Sequence, residues 1–187
     1  MAALLSVLAA DWLWTGRPAS ALGLGIPIAF AGQIGLAIAV VLIASLVIVT
    51  SMSTRRPTLE KQAAMKAKFD AVGLLPRTAR DWPAFLVCVA LLGGGWELLY
   101  RAFLFGILAR LIGTIGAIVV AALAYGLAHN YDSGPQRIAS VVAAFLFTIA
   151  YAATLSLWWL MLIHIAMPLL PALIRSRMAK PTIVATS

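Results

Sequence analysis

One long apolar run limits the fold of this chain more than any other feature of its sequence. The run from Leu22 to Val49 contains no charged residue, and a helix needs only about 20 apolar residues to cross the hydrocarbon core of a bilayer. The whole chain of 187 residues is 63% hydrophobic and 11% charged, so a soluble domain of this length could not bury its apolar surface. We therefore predict an all-α protein, a polytopic bundle of membrane helices that forms one domain over residues 1–187.

Four further apolar runs follow and bring the prediction to about five transmembrane spans. They are Trp82 to Ile112, Ile115 to Asn130, Ile138 to Thr154 and Ser156 to Ile174. Turns are predicted at Gly113-Thr114 and from Tyr131 to Arg137, because Gly, Pro, Asp and Ser favour turns. The run that begins at Trp82 is too long for one straight span, so we expect a kinked or flexible point at Gly93-Gly94-Gly95.

The N-terminal run from Met1 to Trp14 is apolar but shorter than a span, and Asp11 interrupts it. Tryptophan is enriched at the level of the lipid headgroups. We therefore predict a short interfacial helix that holds Trp12 and Trp14 at that level.

The positions of the basic residues predict the orientation of the chain in the membrane. The net charge is +8, and Lys and Arg gather in cytoplasmic loops of membrane proteins. Residues 54–81 form the one extended polar region, which we predict to be a basic cytoplasmic loop. With this loop inside, the C-terminal tail also lies inside, and only Arg17 and Arg110 are left outside. We expect the lipid bilayer, and not nucleic acid, to be the partner of these charges, in the cytoplasmic membrane of a bacterium.

Glu97 and Arg101 are the only charged residues between Asp81 and Arg110. At a spacing of four they lie on one face of a helix, one turn apart. Ionisable groups at this depth cost a few kcal/mol each on insertion scales, so they indicate a functional site with a partner nearby. A structural ion pair that joins two helices would explain the same spacing.

Both histidines of the chain, His129 and His164, also lie in apolar runs. A lone intramembrane histidine is often a hydrogen-bonded strut between helices, but polar groups are so few here that we expect Glu97, His129 and His164 to share one cavity. A carboxylate and an imidazole can take a proton from water, and a second imidazole can hold an oxyanion. The same three side chains could equally bind a catalytic zinc. The H-E-x-x-H motif of many zinc proteases is absent.

Three segments resemble the CPBP or Abi family, the CAAX-protease and bacteriocin-processing intramembrane proteases. They are Glu97 to Leu104 with Arg101 inside it, Tyr125 to His129, and Ser156-Leu157-Trp158 leading into His164. The family pattern is E-E-x-x-x-R, F-x-x-x-H and H-x-x-x-N or H-x-x-x-D, and its order agrees with residues 82–173, the family-like core. The resemblance implies an endopeptidase that cleaves a membrane-associated peptide with Glu97, His129 and His164, supported by Arg101 and Tyr125.

Two positions depart from the family pattern. Trp96 stands where the family has its first glutamate, the residue thought to activate water, and Pro168 stands where Asn or Asp is expected. The resemblance therefore leaves two hypotheses open. One is an active endopeptidase, with or without zinc on the three predicted residues. The other is a catalytically degenerate member that acts as a membrane-embedded immunity or scaffold protein.

Overall fold

The computed structural model describes residues 2–27, 29–54, 60, 63–65, 67, 70, 73, 75–129, 131 and 133–178. This part of the chain is helical and contains no strand. Its helices are α1 (Ala2–Thr15), α2 (Phe30–Thr54), α3 (residues 82–112), α4 (residues 114–128), α5 (Gly134–Thr154) and α6 (Trp158–Met178). The predicted polytopic helical bundle is confirmed.

Four helical stretches of the described chain are long and apolar enough to cross a membrane. They are Phe30–Met52, Ala79–Ala128, Gly134–Thr154 and Trp158–Ser176. The second has 50 residues, and a straight helix of that length would extend about 75 Å, more than twice the thickness of a hydrocarbon core. Its backbone departs from helical geometry at Gly113 (φ 76°, ψ 167°). Because α3 and α4 meet at this break, the second of the four candidate spans consists of two helices, and the described chain also contains the short apolar helix α1.

The chain reverses direction at Gly113. A positive φ costs glycine little because it has no Cβ. In a continuous helix Glu97 and Tyr125 would lie about 42 Å apart, yet the Tyr125 hydroxyl is 3.1 Å from the Glu97 carboxylate. The predicted turn at Gly113-Thr114 is therefore confirmed, and it returns the end of α4 to the middle of α3.

The helix continues through the three glycines of α3, where a kinked or flexible point was predicted. Gly94 (φ −78°, ψ −42°) and Gly95 (φ −67°, ψ −37°) keep helical angles, and π-helical turns at Ala90–Gly94 and Leu98–Leu104 widen the helix around them. The glycines allow close packing instead. A Cβ at Gly93 would lie 3.2 Å from the carbonyl oxygen of His164, so α6 approaches the backbone of α3 directly.

Helix α2 begins at Phe30 and not at Leu22, as the apolar run had suggested. The carbonyl of Gly23 accepts a hydrogen bond from the backbone N–H of Leu157 at 2.9 Å. The indole N–H of Trp158 donates to the carbonyl of Gly25 at 3.0 Å. These carbonyls bind the start of α6, so this part of the run forms a connection and not a helix.

Helix α5 begins earlier than predicted and includes the second half of the expected Tyr131–Arg137 turn. The hydroxyl of Ser133 accepts the backbone N–H of Gln136 at 3.3 Å, and Pro135 lies in the first turn. Both residues are favoured at helix N-termini. Much of the predicted basic loop 54–81 lies outside the described residues.

The largest buried cluster lies where α3, α4, α5 and α6 meet. It includes Ala102 and Phe105 of α3, Ala117 and Ala121 of α4, and Tyr151, Leu157 and Leu160. Ala117 and Ala121 are 0% and 1% exposed, and their small side chains let α4 lie close to its neighbours. This packing sets the position of the polar residues described next.

Candidate active site

Glu97 and Arg101 lie on the inner face of α3, and both are 0% exposed. Nη1 of Arg101 donates to both carboxylate oxygens of Glu97, as their spacing of four predicted. The guanidinium also lies over the ring of Tyr125, 4.3 Å from its centroid, where the aromatic face attracts a cation. The pair therefore faces the interior of the bundle and not the lipid.

His164 of α6 contacts Glu97 and Tyr125 through its two ring nitrogens. Nδ1 is 3.0 Å from Oε1 of Glu97, and Nε2 is 2.9 Å from the hydroxyl oxygen of Tyr125. The hydroxyl of Tyr125 also lies 3.1 Å from Oε1 of Glu97, within hydrogen-bond distance of both groups. Helices α3, α4 and α6 thus bring two of the three predicted catalytic residues and both predicted supporting residues into one hydrogen-bonded cluster.

The contact with Glu97 also selects the proton on the histidine ring. Nδ1 of His164 lies 3.0 Å from Oε1 of Glu97 and 3.2 Å from the carbonyl oxygen of Leu160. An ionised carboxylate and a carbonyl oxygen only accept hydrogen bonds, so Nδ1 carries a hydrogen. In the neutral ring Nε2 is then an acceptor 2.9 Å from the hydroxyl of Tyr125, and the single hydrogen of that hydroxyl can be donated either to Nε2 or to Oε1 of Glu97. A carboxylate and an imidazole arranged in this way form the pair that activates a nucleophile in many hydrolases.

His129 lies at the C-terminal end of α4, one turn beyond Tyr125. Its Nδ1 is 3.0 Å from the carbonyl oxygen of Tyr125. Among the described residues no hydrogen bond or ion pair joins His129 to Glu97 or His164. The structure therefore brings Glu97 and His164 together as expected, and it holds His129 beside their cluster and not within it.

The ring of Trp96 packs against His129 with centroids 5.0 Å apart. The rings of Tyr100 and Tyr125 surround the same indole at 5.5 and 5.7 Å. The indole N–H is buried and has no hydrogen-bond partner among the described residues. Position 96 therefore faces His129, and a carboxylate there would meet the imidazole that an aromatic ring now covers.

The predicted zinc ligands do not form a common set in the structure. A zinc site needs three protein donors that meet about 2.0–2.2 Å from one point. Within the described ranges no group of three His, Cys, Asp or Glu side chains could hold a metal ion. Arg101 and His164 bind the carboxylate of Glu97, and Nδ1 of His129 faces a backbone carbonyl. We therefore derive no chemical step from a metal, and metal analysis of the purified protein would test zinc binding.

Pro168 lies one turn after His164 in α6, and its side chain offers no polar group where the family has Asn or Asp. Proline also lacks the N–H that would bind the carbonyl of His164. That carbonyl lies against Gly93 of α3. The third family motif thus keeps its histidine and lacks the polar partner of that histidine.

One neighbour of the cluster, Phe147 of α5, was not predicted from the sequence. Its ring centroid is 5.8 Å from the ring of His164 and 5.8 Å from the guanidinium carbon of Arg101. The buried residues Ala144, Thr148 and Tyr151 of α5 recur every three or four positions, a periodicity that could have indicated this face. Phe147 shields the cluster from the lipid on the α5 side.

Part of this chain matches the model of a known protein family. No curated protein and no solved structure matches the chain. Residues 78–170, about half of the chain, match the family model described as Rce1-like, type II CAAX prenyl endopeptidase. The matched range contains all three predicted catalytic residues. The chain therefore belongs to the Rce1-like family of CAAX-type intramembrane proteases.

Proposed function

We propose that this protein is an intramembrane endopeptidase that hydrolyses a membrane-associated peptide with water activated by His164 and Glu97. One observation carries the proposal: Nδ1 of His164 lies 3.0 Å from a buried carboxylate of Glu97, inside an otherwise apolar bundle. Family membership supports the same class of reaction.

In the proposed reaction Glu97 orients His164 and stabilises the imidazolium that forms when Nε2 takes a proton from water, and the hydrogen on Nδ1 stays on the ring. The water oxygen bonds to the carbonyl carbon of the peptide, and the carbonyl oxygen becomes an oxyanion. Nε2 then returns the proton to the leaving amine as the C–N bond breaks. Arg101 fixes the orientation of Glu97, and the hydroxyl of Tyr125, 2.9 Å from Nε2, donates to the oxyanion.

His129 keeps a second role in this proposal. The contact of its Nδ1 with the carbonyl of Tyr125 leaves Nε2 for a ligand. We assign to His129 the binding of the oxyanion, a role that a second imidazole can fill beside a carboxylate–imidazole pair. Its position one turn from Tyr125 supports this assignment.

The proposed setting is the cytoplasmic membrane of a bacterium, with the basic loop 54–81 and the C-terminus on the cytoplasmic side. The support is the distribution of Lys and Arg beside the spanning segments. Labelling of introduced cysteines with a membrane-impermeant reagent in intact cells would test this orientation.

The enzyme hypothesis is tested with the full chain purified in detergent and a mixture of membrane-associated peptides analysed by mass spectrometry. We expect His164→Ala to lower cleavage by at least about 100-fold, the usual size of a general-base effect. A smaller loss is expected for His129→Ala, because that residue lies outside the hydrogen-bonded cluster. Cleavage by the wild type no faster than by His164→Ala would overturn the proposal.

A second candidate function is a binding or scaffold role without catalysis, and the packing of Trp96 favours it. The indole covers the face of His129 where the family pattern has a glutamate. This hypothesis predicts that Trp96→Glu, alone or with Pro168→Asn, creates cleavage that the wild type lacks. Wild-type cleavage that His164→Ala abolishes would exclude it.

A further inference from the structure

A groove separate from the candidate active site opens at the N-terminal end of α3. It has a volume of about 440 Å³, and its lining includes the apolar residues Leu75 and Phe85, Cys88, and the basic residues Arg77 and Arg80. Leu75 and Phe85 are each 6% exposed. The groove therefore combines an apolar floor with a basic rim.

The backbone that carries the two arginines is held in place from both sides. Nη1 of Arg175, on α6, donates to the carbonyl of Pro76 at 2.7 Å. The carboxylate of Asp81 accepts the backbone N–H groups of Arg77 and Thr78 at 2.8 and 2.7 Å. A ligand of this groove would meet a preformed site, which lowers the entropic cost of binding.

The charges of the rim favour an anion. Both arginine side chains are exposed, and no hydrogen bond or ion pair of either guanidinium is present among the described residues. Asp81 is the acidic residue that lines the groove, and its Oδ2 accepts backbone N–H groups. Two guanidinium groups therefore face the opening against one carboxylate, and Arg77 and Arg80 can both bind a phosphate.

The place of the groove in the bundle identifies the source of the phosphate. Trp82 begins α3, at a position typical of the membrane–water interface. Cys88 lies six residues further along the helix, about 9 Å deeper. The basic rim is thus at headgroup level and the apolar floor extends toward the acyl chains, an arrangement that suits a phospholipid and not a free phosphate ion.

We propose that this groove binds one anionic phospholipid, with its phosphate on Arg77 and Arg80 and an acyl chain along Phe85 and Cys88. Basic residues near the membrane surface favour anionic lipids, and the apolar floor adds contact with the chain. The proposal is independent of catalysis at the candidate active site.

Native mass spectrometry of the full chain in detergent tests this proposal, with phosphatidylglycerol, phosphatidylcholine or inorganic phosphate added. We expect one phosphatidylglycerol to bind about tenfold or more tightly than phosphatidylcholine. The double variant Arg77→Gln/Arg80→Gln should lose this preference. The control Arg17→Gln/Arg110→Gln removes the same charge elsewhere and should keep it.

The only cysteine of the chain reports the location of the lipid. Phosphatidylglycerol should slow alkylation of Cys88 by N-ethylmaleimide in the wild type and in the control, and not in Arg77→Gln/Arg80→Gln. Equal binding of the two lipids, or a preference unchanged in that variant, would overturn the proposal. Equal protection of Cys88 by inorganic phosphate would show that the site binds the free ion and would overturn it as well.

Discussion

Removing one charge of the buried Glu97–Arg101 pair should destabilise the bundle far more than removing both. Each side chain is 0% exposed, so Glu97→Gln or Arg101→Met leaves a buried charge without its partner, which costs about 3–5 kcal/mol. In Glu97→Gln/Arg101→Met no charge remains. The amide oxygen of the glutamine can still accept from Tyr125 and His164, so the double variant should lose only about 1–2 kcal/mol.

The free energy of unfolding of the three variants can be compared by titration with SDS in mixed micelles, followed by circular dichroism. Peptide cleavage is measured on the same preparations. We expect the double variant to be about 1–4 kcal/mol more stable than the Glu97→Gln variant. It should nevertheless stay inactive, because Nδ1 of His164 no longer faces a carboxylate.

Two results would refute parts of this reasoning. Losses of stability that simply add in the double variant would show that the two charges are not coupled as the structure indicates. Recovery of both stability and cleavage in the double variant would show that the pair is a structural strut, the alternative that its spacing had left open.

Three further predictions concern the hydroxyl of Tyr125, the packing at Gly126 and the zinc content of the protein. Tyr125→Phe keeps the ring over Arg101 and removes a hydroxyl that lies 3.1 Å from Glu97 and 2.9 Å from His164. We expect kcat to fall about 100-fold, as for loss of one oxyanion donor, with KM little changed. An unchanged kcat would contradict the proposed role of the hydroxyl. Gly126→Ala should destabilise the bundle by about 1–3 kcal/mol, because its Cβ would lie 2.7 Å from a backbone atom of α5. In the control Gly106→Ala the added Cβ meets nothing within 4 Å. This control should be neutral or stabilising in the same SDS titration. Zinc analysis of the purified protein should give less than one ion per chain, because the predicted ligands do not converge; one zinc per chain that is lost in His164→Ala would contradict this expectation.

Local features of the sequence predicted the elements of this structure well. The Gly113 turn was predicted because glycine readily adopts a positive φ, and the spacing of Glu97 and Arg101 predicted their contact because residues four apart share a helix face. The start of α2 was misplaced because the carbonyls of Gly23 and Gly25 bind the start of α6. The hydropathy of a segment does not predict the hydrogen bonds that it forms with distant segments.

In the candidate site, too, the residue types could be predicted from the sequence and the contacts between them could not. The residue types and their order led to the family resemblance, which the match over residues 78–170 supports. The same pattern could not show that His129 would lie beside Trp96 and outside the Glu97–His164 cluster. That arrangement depends on the depth and rotation of each helix, and interhelical packing sets both.

The membrane-spanning class of the protein, the pairing of Glu97 with Arg101 and the residues available for chemistry follow from local patterns of residues. Hydrophobic length and helical periodicity are local properties that a chain carries whatever its partners are. The contacts of His164 and Tyr125 with Glu97 depend on the packing of the helices, since close packing at Gly93 and the reversal at Gly113 bring three helices to one point. Contacts between helices depend on shape complementarity along their whole length, which no single segment encodes.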